Sequence, residues 1–121
     1  MKIVTDIKEA NNLLQSYVGA RLQIAFYTES LKRIAVRIWF PDNIDQVIYF
    51  IGMSCESING CFSLSNVDLS ITLKMNEKTK EDIITLRDEI SGFELSTSGG
   101  FSLAQGLLSE FGNSFESFFQ D

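Results

Sequence analysis

The stretch RLQIAFYTESLKRIAVRIWF, residues 21–40, decides the fold. Leu22, Ile24 and Phe26 share one face of an extended chain, and Ile34, Val36, Ile38 and Phe40 share another, because side chains alternate sides along a strand. Two alternating runs joined by a polar connection describe an antiparallel hairpin. A two-residue loop at Glu29 and Ser30 would set Phe26 against Arg33 and Ile24 against Ala35, opposing an apolar row to a mixed one. Centring the turn on Ser30 instead pairs Phe26 with Ile34, Ile24 with Val36 and Leu22 with Ile38, and predicts a loop with an odd number of residues. The reverse face then opposes Tyr27 to Arg33, Gln23 to Arg37 and Arg21 to Trp39. Arg33, Arg37 and Trp39 form a candidate partner-binding ladder through cation–π and stacking contacts, on a face expected to be open to solvent.

Working outward, Pro41, Asp42 and Asn43 make a turn, and Val47-Ile48-Tyr49-Phe50-Ile51 is apolar on both parities. Such a strand belongs at the centre of a sheet, covered on both faces. Upstream, Ile3, Ile7, Ala10, Leu13, Leu14 and Tyr17 recur at helical spacing, with Thr5 or Asp6 as cap and Gly19 as terminator. That helix is the natural cover for one face.

Downstream, Asn59-Gly60 predicts a two-residue hairpin that pairs Ile58 with Cys61 and Cys55 with Leu64. The two thiols then point to opposite faces and are expected to be free and buried, as suits a reducing compartment. Val67, Leu69, Ile71, Leu73 and Met75 alternate with polar residues, which predicts a strand with one wet face; the apolar parity shifts near Ser65 and Asn66, where a bulge or turn is expected. Residues 79–90 can be read as a capped helix, but Ile83-Ile84-Thr85 is β-branched throughout, which favours a strand over 83–87. Residues 93–97 and the alternation Phe101, Leu103, Gln105, Leu107 add two more strands around a turn at 98–100. Phe111, Phe115, Phe118 and Phe119 could form one side of a short closing helix. The reading is α+β, mainly β: an N-terminal helix packed on an antiparallel sheet or flattened barrel of about seven strands.

Length and composition set the functional limits. The chain has 121 residues, 45% hydrophobic and 21% charged, which fits a single domain over 1–121. It has no histidine, so triads built on an imidazole base are excluded, and with only Cys55 and Cys61 as thiols a structural zinc site is not expected. No metal or other cofactor is expected. The longest apolar stretch, residues 47–53, is far shorter than the roughly twenty residues of a membrane helix, and Asp6 interrupts the amino terminus before a signal core forms. No membrane association and a cytoplasmic location follow as expectations.

Up to Arg87 ten basic side chains balance ten acids; beyond it there are six acids and no base, so the net charge of -6 sits wholly in the last 34 residues. Six of the ten phenylalanines lie there too. Glu110, Phe115, Glu116, Phe118 and Phe119 are therefore candidate contacts for a protein partner, a basic one by charge. Nucleic acid is disfavoured, because phosphate recognition needs a cationic surface. The leading expectation is a non-catalytic binding protein, of the kind represented by a bacterial immunity or inhibitor protein. A β module enclosing an apolar small molecule is the first alternative, and an enzyme using carboxylates alone, with Asp88 and Glu89 or Asp42 and Asp45 as acid and base, is the second.

Overall fold

The computed structural model describes residues 1–111. In chain order the elements are β1 (Lys2–Val4), α1 (Ile7–Gln15), β2 (Arg21–Thr28), β3 (Arg33–Phe40), β4 (Asn43–Gly52), β5 (Cys55–Asn59), β6 (Ser63–Leu64), β7 (Leu69–Met75), β8 (Asp82–Asp88), β9 (Glu94–Thr97) and β10 (Phe101–Leu107). The fold is mainly β with one helix, as the alternation predicts. The strands divide between two antiparallel sheets, ordered β1-β10-β4-β3-β2-β6 and β5-β9-β8-β7. Ile38, Ile48, Phe50 and Leu103 of the first sheet share one core with Leu69, Ile71, Leu86 and Leu95 of the second. Each such side chain, fully buried, contributes about 1.5–3 kcal/mol, so this layer dominates stability. Among the described residues no helix is long and apolar enough to cross a membrane.

β4 lies inside the larger sheet and is buried from Val47 to Ile51, on both faces, as its unbroken apolar run requires. The strand reading of residues 79–90 holds as β8, and the turn at Asn66 (φ +57°) absorbs the parity shift before β7.

The first hairpin needs a correction. Leu22 pairs with Ile38 and Ile24 with Val36, as expected, but a bulge after Ile24 then sets Phe26 against Ala35 and Thr28 against Arg33. A bulge moves the following residue to the opposite face. Phe26 accordingly packs on the outer side of the sheet, and the loop spans the four residues 29–32 rather than an odd number. Alternation alone hides this, since Phe26 matches either apolar row.

The Asn59-Gly60 hairpin does not form either. β5 pairs with β9, while β6 pairs with β2, so this turn carries the chain from one sheet to the other. Gly60 has φ +138°, and a Cβ there would lie 2.8 Å from the Phe93 ring. Cys55 and Cys61 are both free, but Cys61 is exposed and Cys55 half-buried, because neither occupies the hairpin that would have buried it.

The helix begins later than its periodicity implies. Residues 2–4 pair with β10, and Asp6 caps α1 by accepting a hydrogen bond from the Glu9 N–H at 3.0 Å. Nine residues are too few for a helix to persist alone in water. Docking holds it: Ala10 and Leu14 enter the core, joined by Tyr17 just past the helix end, and Asn11 makes two bonds to the outer edge of β7. Its Nδ2 donates to the Ile71 carbonyl at 2.9 Å, and its Oδ1 accepts from the Ile71 N–H at 2.7 Å. One amide thus takes the place of a neighbouring strand.

Asn11→Ala should cost about 1–3 kcal/mol in chemical denaturation, the usual penalty for stripping partners from partly buried backbone groups. A loss below about 0.5 kcal/mol, the level of an ordinary surface substitution, would mean that apolar contacts alone hold the helix.

Candidate functional site

The candidates drawn from the sequence fall in three places. Phe115, Glu116, Phe118 and Phe119 lie outside the described residues. Glu110 closes a 3-10 turn, Leu108–Glu110, where its Oε2 accepts from the Met1 amino group at 2.9 Å and its Oε1 from the Leu107 N–H at 2.8 Å. The charge-assisted bond from the amino group and the Leu107 amide hold its carboxyl below the usual glutamate range. Phe111 beside it is buried against the Tyr49 ring, with centroids 4.7 Å apart.

Arg33, Arg37 and Trp39 do share one face of β3, but that face is not open to solvent as expected. All three are half-buried, and Trp39 packs on a second apolar layer of Ala35, Val47, Tyr49, Ile51 and Ala104. The cause lies in the neighbours: the outward residues of β4 are large and apolar, and they draw the β3 face into their own cluster. Arg37 donates from Nε to the Tyr49 hydroxyl at 2.9 Å, and its guanidinium lies 5.9 Å from the Trp39 ring centroid and 5.6 Å from that of Tyr49. Arg37→Ala should therefore destabilise by about 1–2 kcal/mol in a denaturation experiment, from the lost bond and ring contacts together. An effect under about 0.5 kcal/mol would return this face to solvent.

Of the carboxylates proposed as acid and base, Asp88 and Glu89 are engaged elsewhere. Asp88 is buried and accepts bonds from the Asp68 N–H at 2.7 Å, the Ser91 hydroxyl at 2.6 Å, the Ser91 N–H at 3.1 Å and the Ile90 N–H at 3.3 Å. Burial by itself would raise its pKa; the four bonds outweigh burial and lower it. Glu89 and Glu94 both pair with Arg87. Asp42 and Asp45 lie exposed at and just after the β3–β4 turn.

The lowered carboxyl of Asp88 fixes a sign. Its stabilising effect is present in full above the ordinary aspartate pKa and disappears as pH falls through the lower, folded-state value. Asp88→Asn should cost about 1–3 kcal/mol at neutral pH, and the gap from wild type should close as acid is added. A gap independent of pH in urea titrations would refute this assignment.

A cluster of exposed apolar side chains lies elsewhere, between β2 of the larger sheet and β5 of the smaller one. An open cleft of about 360 Å³ is lined by Ile24, Tyr27, Ile34, Cys55, Ile58 and Phe62, with Glu56 and Ser57 supplying its polar groups. Phe62 is 71% exposed, Leu31 66%, Tyr27 53% and Ile58 36%. Two bonds build this edge. The Phe62 carbonyl accepts from the Ile24 N–H at 2.9 Å, which ties the crossing segment to β2. The Leu31 carbonyl accepts from the Ser54 N–H at 3.0 Å, which ties the hairpin loop to the start of β5. Leu31 (φ +60°) and Lys32 (φ +45°) are consecutive left-handed residues without glycine, a conformation costing roughly 1–2 kcal/mol each.

Burial pushes the Cys55 thiol up, and Glu56 adds to this against the opposing Ser57 backbone and Lys32. A thiol so held is a weak nucleophile near neutral pH, so the cleft is suited to contact more than to covalent chemistry. A second cavity, of about 430 Å³, lies between the start of α1 and β8, lined by Ile7, Leu73, Ile84 and Phe101 with Glu81 and Asp82. Among the described residues no group of three or more Cys, Asp or Glu side chains stands close enough to hold a metal ion.

Sequence reading missed the cleft because Ile58 and Phe62 were assigned to a hairpin that does not form, and Tyr27 to the reverse face that the bulge exchanges. The one usable signal was Phe62 itself, a large ring in the short polar stretch 59–63. Compared with known proteins, the chain matches no family model, and no curated protein or solved structure is significantly similar to it.

Proposed function

We propose that this chain is a non-catalytic binding protein, acting in the manner of a small inhibitor or immunity protein, and that it engages another protein through the cleft between β2 and β5. The observation that carries this reading is the convergence of Tyr27, Ile58 and Phe62, all large, apolar and exposed, around one concavity. Scattered exposed apolar residues are ordinary; a contiguous set around a cleft marks a contact surface. Folding gains little from leaving these side chains in water, whereas aromatic anchors of this type supply most of the energy at protein interfaces. Glu110, by contrast, is paired with the Met1 amino group at 2.9 Å.

The same cleft also admits an apolar small molecule, because its volume falls within the range of about 300–1,000 Å³ common to ligand pockets. Photo-cross-linking distinguishes the two. With a benzophenone amino acid replacing Phe62, irradiation in the native host should give a discrete protein adduct, absent when the probe replaces the exposed helix residue Asn12. The Phe62→Asp chain should fold with an unchanged melting temperature and compete for no partner. A labelled lipid or metabolite in place of a protein adduct would establish the small-molecule reading, and identical adducts from positions 62 and 12 would end the case for the cleft.

A further inference from the structure

We infer that the partner enters the cleft as an extended segment that adds a strand to the free edge of β5, with apolar side chains at alternate positions and a Lys or Arg facing Glu56; this rests on the cleft being the binding site. Two open sheets have four edges, and exposed edges invite further pairing unless the fold blunts them. Here the edges are β1, β6, β7 and β5. β6 has two residues, and β1 three, with the exposed Lys2 at its start. β7 is seven residues long, and Asn11 of α1 closes it at Ile71. β5 carries a bulge between Cys55 and Ser57 in its pairing with β9, but none of these other protections. Its five residues, Cys55-Glu56-Ser57-Ile58-Asn59, contain no lysine and no proline, and among the described residues only β9 pairs with it.

Position joins the edge to the cleft. Residues 55–58 of β5 line one wall, opposite Ile24 and Tyr27 of β2. A strand laid along β5 therefore takes its main-chain bonds from the edge and turns every second side chain toward Ile58, Tyr27 and Phe62, the mode in which backbone pairing gives affinity and alternate pockets give selectivity. Glu56 is the one charged side chain in the lining; its Oε1 accepts from the Ser98 hydroxyl at 2.6 Å, and it alone sets the charge of the cleft wall, since the net charge of the chain lies beyond Arg87. Charge complementarity thus selects a basic, apolar segment and speeds its arrival.

A random-peptide phage library panned on the full chain supplies the probe. Selected peptides should alternate apolar residues, carry a Lys or Arg, and lose binding to Phe62→Asp. Backbone N-methylation of a selected peptide should weaken it by about tenfold or more at every second residue, roughly the effect of one hydrogen bond, and leave the intervening positions within about threefold. Panning on Glu56→Lys should turn the charge preference toward Asp and Glu, a reversal that loss of structure would not produce. Peptides that need Phe62 but show no alternation on N-methylation would overturn strand addition while leaving the cleft as a site. Peptides indifferent to Phe62, or none selected at all, would remove both. Sedimentation of the chain as a dimer that Ile58→Lys dissociates would overturn the proposal in favour of a second copy on the same edge.

Discussion

A strand apolar on both faces has no stable place at a surface, and β4 imposes that constraint on everything around it. Ile48 and Phe50 face the core shared with the smaller sheet, while Val47, Tyr49 and Ile51 face outward and must be covered as well. The fold answers with two apolar layers. The inner one unites both sheets and the helix; the outer one recruits Trp39, Phe26 and Phe111 over the back of the larger sheet. Arg37 belongs to this second layer through Tyr49, which is why a residue that alternation assigns to solvent contributes to packing.

Polar groups finish what burial begins. Asp88, at the end of β8, collects four donors, and Asn11 satisfies both backbone groups of Ile71 on the edge of β7. Both act by giving partners to backbone groups that would otherwise be lost from water, where each unsatisfied group costs about 1–3 kcal/mol. Beside these, the free edge of β5 and the apolar cleft next to it are not required by the packing of the core.

Much of the fold was legible in the residues. The two-sided run at 47–51, the strand at 69–75, the last strand at 101–107 and the capped helix follow from periodicity, because each signal is local and strong. What failed depended on partners far away in sequence. The bulge after Ile24 is invisible to alternation, since Phe26 is apolar enough for either face. The Asn59-Gly60 turn is real as a turn, but whether β5 pairs with its successor or with β9 is set by sheet-level packing. The wet face expected for Arg33, Arg37 and Trp39 could be judged only once β4 was placed beside them. The cleft was hidden by the same two errors of pairing, which put Tyr27, Ile58 and Phe62 on other surfaces.

The proposed contact surface is the cleft with its β5 edge, whereas the back of the larger sheet serves packing. Amide chemical-shift mapping of the labelled chain, titrated with the protein recovered by cross-linking at position 62, tests this most directly. The account predicts that the perturbed amides cluster at residues 24–34 and 55–62, with those of residues 35–39 and 107–111 nearly unmoved. Perturbations concentrated at Arg37, Trp39 and Glu110, with Ile58 and Phe62 unaffected, would contradict it.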